Sequence, residues 1–274
     1  ARVFASAADA GRFDFWPKAG TKEWLAFITA FLTLAIGSIP QQDIFQRVTS
    51  ARNEDTAVRG TLLGGAVYFA FAFVPIYIVC ASLLIDPALG TLLSADDARE
   101  TQQILPAFIL GHTPMWIQVL FFGALLSAIL STASGAIIAP ASLVTENIIK
   151  PLWPRISDRQ FLLTLRVVLL GFTLAALLFA LNSKKTMYDM IQNAYTVTLV
   201  SAFVPLAAGV FWKRANNLGA VLSAVLGLVA WLAADTLGGE SATVPAPLIG
   251  LAISTIGMIV GSYAPRGHAR PAAT

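Results

Sequence analysis

Residues Met115–Val144 read MWIQVLFFGALLSAILSTASGAIIAPASLV, thirty consecutive positions without a charged side chain. About twenty apolar residues cross the hydrocarbon of a bilayer as a helix. This stretch is therefore long enough to span a membrane and too long to do so upright and straight. It is expected to tilt, to bend at Pro140 or to project beyond the lipid. Six further apolar stretches accompany it: 24–39, continuing less apolarly to Val48; 61–84, with Pro75 as a kink site; 161–181; 190–212, containing Pro205; 218–237; and 245–263. Seven spans make a polytopic, all-α membrane helix bundle.

Composition agrees. Of 274 residues 57% are hydrophobic and only 12% charged, and the mean hydropathy is +0.73. Soluble chains carry about 25% charged residues, so these charges are too few to coat a globule of this size. A soluble enzyme and a disordered chain are excluded, and Cys80, the single cysteine, excludes a disulfide scaffold. The net charge of +3 gives no reason to expect nucleic acid as a partner; the lipid bilayer is the partner composition implies. The basic residues sit in short loops, where membrane topology explains them.

That bias sets orientation. Arg47, Arg52 and Arg59 follow the first span; Lys150, Arg155, Arg159 and Arg166 the third; Lys213 and Arg214 the fifth; Arg266 and Arg270 the seventh. The opposite loops hold Arg99, Lys184 and Lys185, with Arg2, Arg12, Lys18 and Lys22 in the leading segment. The chain is expected to start outside and end in the cytoplasm, in a plasma membrane, the bacterial inner membrane being the reading adopted here. Residues 1–22, polar and beginning at Ala1, read as an extracellular loop remnant of a longer protein, and residues 266–274 as a cytoplasmic tail. In the outer loop Asp96, Asp97, Arg99 and Glu100 give way to Ile104, Leu105, Phe108, Ile109 and Leu110, which suits a short helix at the outer rim, either a lid or a plain interfacial helix.

Several chemistries are missing from the spans. None has an interior Lys, both histidines (His112 and His268) lie outside, and no Asp or Glu sits at mid-span. Nucleophilic catalysis by a buried Ser–His pair, a zinc site and an obvious proton relay are thereby removed, so no catalytic residue is assigned. Cys80 reads as packing.

Three features remain. The run Gly37-Ser38-Ile39-Pro40-Gln41-Gln42-Asp43 interrupts the first span: Pro40 has no N–H and disfavours helix at Ile39, and Gly37 weakens the turn before it. Backbone opened at membrane depth lines a binding site in secondary transporters; the bland alternative is a helix that ends there and a second that begins. In the third span Ser127, Ser131 and Ser134 share a face with Ala128, Thr132 and Gly135 beside them. Close helix packing uses such residues, and so does a hard monovalent cation bound by neutral oxygens. In the fifth span Asn193, Tyr195, Thr196, Thr198 and Ser201 either line a cavity or bond neighbouring helices.

Taken together, these segments resemble the sodium:solute symporter family. The resemblance rests on Ile39-Pro40 followed by Phe45-Gln46-Arg47-Val48 and Ser50-Ala51; on Ala128-Ile129-Leu130-Ser131-Thr132 with Asn147-Ile148-Ile149-Lys150; and on Gly209-Val210-Phe211-Trp212-Lys213-Arg214-Ala215-Asn216 with Gly219-Ala220. It implies the second half of a fold of two inverted five-helix repeats, with 23–215 as the second repeat and 216–265 as two peripheral spans. It implies Na+ as coupling ion, held by the Ala128 carbonyl and the Ser131 and Thr132 hydroxyls, with no other metal. The broken helix would supply Gly37, Ser38, Pro40 and Gln41 to the solute, and the fifth span Tyr195. Gly37 and Ser38 stand where the sugar branch has an aromatic pair, and the wording around Pro40 and Asn147 looks most like the choline branch; Ile149 departs from the Tyr often found there. A small organic solute (choline-like, amino acid or carboxylate) is implied as partner. Some family members carry a signalling domain, so a transport-like sensor module is the alternative function.

Overall fold

The computed structural model describes residues 2–9, 11, 16–18, 20–93, 97–238 and 243–264. Arg12, Asp96, His268 and the 266–274 tail with Arg266 and Arg270 lie outside the described residues. Every regular element among the described residues is helical. In chain order these are α1 (Arg2–Asp9), α2 (Thr21–Gly37), α3 (Gln42–Thr49), α4 (Glu54–Ile85), α5 (Ile104–His112), α6 (Met115–Val144), α7 (Lys150–Leu152), α8 (Asp158–Asn182), α9 (Met187–Thr198), α10 (Val204–Phe211), α11 (Asn217–Gly238) and α12 (Ala246–Tyr263). Wider π-helical turns, Thr145–Ile149 and Leu199–Phe203, join α6 to α7 and α9 to α10.

Six continuous helices among the described residues are long and apolar enough to cross a membrane. The first of the seven expected spans is the exception. Its helix stops at Gly37, seventeen residues after it begins, and α3 starts again only at Gln42. The second span begins earlier than its apolar stretch: Asn53 caps α4, its side chain accepting from Thr56 N at 2.8 Å, and Glu54 and Asp55 complement the helix dipole. At 32 residues α4 is about 48 Å long, more than the hydrocarbon thickness, and it stays helical through Pro75. The third span matches α6 residue for residue and continues as a helix past Pro140 to Leu152. The short helix expected between the second and third spans is present as α5.

The chain forms two compact units, divided within α3 between Ile44 and Phe45. One holds α1 and α4–α8. There α6 packs on α8, and Ala139, Ala141 and Thr145 are buried. A capping box starts α8, Ser157 Oγ accepting from Gln160 N while Gln160 Oε1 accepts from Ser157 N at 3.0 Å. Gln118 on α6 donates to the carbonyls of Leu110 and Thr113 at 3.0 and 2.8 Å, fixing the α5–α6 corner.

The other unit holds α2 and α9–α12, and its core is a seam of small residues. Gly219, Ser223 and Gly227 on α11 are buried against Gly250, Ser254, Gly257, Gly261 and Ser262 of α12. A Cβ at Gly261 would stand 2.5 Å from Gly219 Cα, and one at Gly257 2.9 Å from Leu222 O. Only hydrogen fits there. Within the seam the Ser223 and Ser254 hydroxyls bond each other at 2.9 Å, giving two polar groups mutual satisfaction where lipid offers none.

Candidate functional site

The break after α2 can be derived by following its carbonyls. In an unbroken helix Ile36 O would accept from residue 40, but Pro40 has no N–H; Ile39 N takes its place at 3.1 Å. Gly37 O would accept from Gln41 N, which instead bonds Ser38 O at 3.1 Å. Gly37 O is therefore orphaned, and the hydroxyl of Thr198, at the end of α9, supplies its hydrogen bond at 2.6 Å. Gln41 completes the cluster, its Nε2 donating to Thr198 Oγ1 at 3.1 Å.

Gly37 is required by this approach rather than by backbone conformation. A Cβ there would lie 2.4 Å from Tyr195 O and 3.3 Å from Leu199 Cβ. The face of α2 leading to it, Thr29 and Thr33 at four-residue steps, is also buried. Thr29 Oγ1 bonds its own helix at Leu25 O, whereas the Thr33 hydroxyl is fully buried with no hydrogen-bond partner among the described residues.

The expected solute residues thus occupy one neighbourhood with different roles. Gly37 is a packing point with an engaged carbonyl. Ser38 caps α2 and donates to Ala35 O at 3.0 Å. Pro40, Gln41 and Tyr195 are half-buried. The side chains of Gln42 and Asp43 lie outside what is described. Of the polar residues of the fifth span, Thr196 and Ser201 bond back to Gln192 O and Val197 O, whereas Thr198 reaches another helix. Its role was missed by sequence reasoning, which saw a polar residue and could not pair it with a carbonyl 161 positions away.

The candidate sodium residues belong to the other unit. Ala128, Ser131 and Thr132 lie on an unbroken stretch of α6 and are exposed. Ser134 nearby donates to Leu130 O at 2.7 Å, but the Ser131 and Thr132 hydroxyls make no such bond among the described residues. They are oxygens with their capacity unspent, as a cation ligand must be.

The Gly209–Ala220 motif has a structural explanation. Asn216 Oδ1 accepts from Gly219 N at 2.7 Å, starting α11, while its Nδ2 donates to Gly261 O at 3.2 Å near the end of α12. Arg214 lies over the Tyr263 ring at 4.5 Å. In the loop between α4 and α5 the Arg99 guanidinium, hydrogen-bonded to Asp97, lowers that carboxyl to about 2.

Comparison with known proteins adds the following. The model of the sodium:solute symporter family matches residues 5–227. The high affinity choline transporter 1 of Homo sapiens is 27% identical over 84% of this chain and 39% of its own length. The urea-proton symporter DUR3 of Oryza sativa subsp. japonica is 31% identical over 64% of this chain and 24% of its own. A solved Na+-coupled sialic acid symporter, in a substrate-bound outward-open state, aligns over 96% of this chain and 56% of that one with a TM-score of 0.68 at 21% identity, a likeness of fold. The chain spans about two-fifths or less of the length of these curated relatives.

Proposed function

The chain belongs to the sodium:solute symporter family, and from that premise we propose that it carries the second inverted repeat, residues 23–215, and two peripheral spans of a sodium-coupled symporter for a small organic solute. The observation that carries the reading is the break in α2: a helix opened at 38–41, its orphaned Gly37 carbonyl held by Thr198. Irregular backbone at membrane depth is tolerated where it is buried in protein or lines a cavity, and discontinuous helices form the substrate sites of secondary transporters.

In this reading sodium binds the Ala128 carbonyl and the Ser131 and Thr132 hydroxyls. These neutral oxygens suit a hard monovalent ion, binding it without the fixed charge that would oppose its release. Solute docks at the break beside Pro40, Gln41 and Tyr195. Sodium stabilises the state that accepts solute, and differential affinity couples the two. The chain starts outside and ends in the cytoplasm of a plasma membrane, following the Lys/Arg bias.

The test is reconstitution of the full-length protein in proteoliposomes, with uptake of labelled choline and urea under an inward sodium gradient or an inward proton gradient. Accumulation driven by sodium, and abolished when potassium replaces it, is the expected result. Uptake that follows the proton gradient and ignores sodium would overturn the coupling assignment.

A further inference from the structure

Thr198 has one hydroxyl proton and two carbonyls in reach, Gly37 O at 2.6 Å and Tyr195 O at 3.0 Å. A carbonyl can only accept. Whichever of the two takes the proton, none is left for Gln41, and Thr198 can offer the glutamine only a lone pair. Gln41 must therefore be the donor, which turns Nε2 toward Thr198 and Oε1 away from it. Among the described residues Oε1 has no hydrogen-bond partner. The orientation of this carboxamide, usually ambiguous, is fixed by the chemistry of its neighbours.

We propose that Thr198 is a positioning residue for solute recognition: by committing its proton to the broken helix it orients Gln41 so that Oε1 meets a solute's hydrogen-bond donor or positive end. The inference rests on the symporter reading of the break and narrows its solute class. A carboxylate end would face an acceptor here and gain nothing from it. The described residues of α2, α9 and α10 also supply no nearby cation to an anionic solute, since their basic side chain is Lys22 in the first turn of α2. The position of Thr198 fits the role. It is the last residue before the Leu199–Phe203 turn, where Leu199 and Val200 are fully buried, so its backbone is fixed by packing rather than by the bonds it offers.

The test uses the full-length protein and the isosteric pair Thr198→Val and Thr198→Ser. Two quantities are read: KM and maximal rate for labelled choline, and amide hydrogen exchange of the peptide covering 36–44. Loss of one buried hydrogen bond predicts a KM raised about tenfold in T198V with the maximal rate and sodium dependence unchanged, and T198S within about threefold of wild type. Exchange of the Ser38, Ile39 and Gln41 amides should quicken in T198V and not in T198S. If Thr198 acts through Gln41, the double variant T198V/Q41L should be no worse in KM than Q41L alone. Unchanged exchange in T198V overturns the proposal whatever transport does. Faster exchange with unchanged KM, or additive losses in the double variant, overturns the orienting role. A wild-type protein that takes up neither choline nor urea counts against the symporter reading, while the exchange measurement still decides whether Thr198 holds the break.

Discussion

On α11, Gly219, Ser223 and Gly227 recur at four-residue steps; on α6, Ser127, Ser131 and Gly135 do the same. The residue types and the spacing are alike, yet the surroundings are opposite. Ser223 is fully buried and bonded to Ser254, and a Cβ on Gly227 would stand 2.0 Å from Val200 O. Among the described residues Ser131 is exposed with its hydroxyl unbonded, and a Cβ on Gly135 would meet nothing within 4 Å. Small residues at helical spacing permit close approach, but they do not say whether another helix uses the permission. The α11 stripe is used for packing. The α6 stripe is exposed among the described residues, and its proposed use is to bind the ion.

The sharpest way to break this comparison is to add one methyl group to each stripe. In Gly227→Ala the new carbon meets the Val200 carbonyl of the Leu199–Phe203 turn and the Ser254 Cβ of α12, neither of which can move aside without shifting its helix against α11, and overpacking of this kind costs about 1–3 kcal/mol or more. Gly135→Ala meets nothing within 4 Å among the described residues and replaces a poor helix former, a change worth up to about 1 kcal/mol in the opposite direction. Thermal melts of the full-length protein in detergent should show G227A several degrees lower and G135A level or higher. Equal losses would mean that both stripes are packing seams.

Second in size is the ion. Ser131→Ala and Thr132→Ala should leave the melt unchanged, since neither hydroxyl bonds another of the described residues. Losing one cation ligand of about 1–3 kcal/mol should raise the sodium concentration for half-maximal uptake about ten- to a hundredfold. Unchanged sodium dependence in both variants would reduce the α6 stripe to a bare surface.

How much of this was legible follows the same division. Span limits were, because uncharged length is a property of the chain alone: α6 begins and ends where its apolar run does. The break at 38–41 was also legible, because a missing N–H at Pro40 and a weak turn at Gly37 act locally. The Gly219–Gly227 seam was not singled out, since its meaning depends on α12 presenting Gly250, Ser254, Gly257 and Gly261 opposite it. Nor was Thr198's bond to Gly37, whose partners are far apart in sequence. On α6 the pattern suits packing and ion binding alike, and which of the two it serves depends on partners that the pattern does not name. The apolar run of the first span passes through Ile39, but α2 stops at Gly37, where its hydrogen bonds do.

A smaller effect tests the seam from within. Ser223→Ala removes one of two hydroxyls that satisfy each other and adds no volume. Such interhelical bonds average about 0.6 kcal/mol in membranes, because a serine left alone finds another partner. The melt of S223A, and of Ser254→Ala, should fall by no more than a few degrees, and the double variant should show the two losses to be one. A large, additive loss would mean that the hydroxyls, rather than the glycines, hold the seam.

The smallest effect concerns exposed oxygens whose cation is already present. Asp97 caps the short helical turn Ala98–Gln103 by accepting from Arg99 N, and its carboxylate is gripped by the Arg99 side chain, which also reaches Ser183 O at 3.4 Å. It is the counterpart of the α6 turn, an acceptor at the surface with its partner built in. Hydrogen bonds from Arg99 lower its pKa to about 2, from an ordinary 3.8. A carboxyl lowered by folding contributes stability that is complete above its ordinary value and is lost as pH falls toward the folded one. The contribution should therefore be flat from neutral pH down to about 5 and decline between about 4 and 2. Exposure of the pair to solvent keeps it small. The check is the difference in melting temperature between wild type and Asp97→Asn, which should be constant at pH 5–7 and shrink toward zero near pH 2. A difference that grows on acidification would show the sign to be wrong, with Asp97 held in its charged form at a cost rather than a gain.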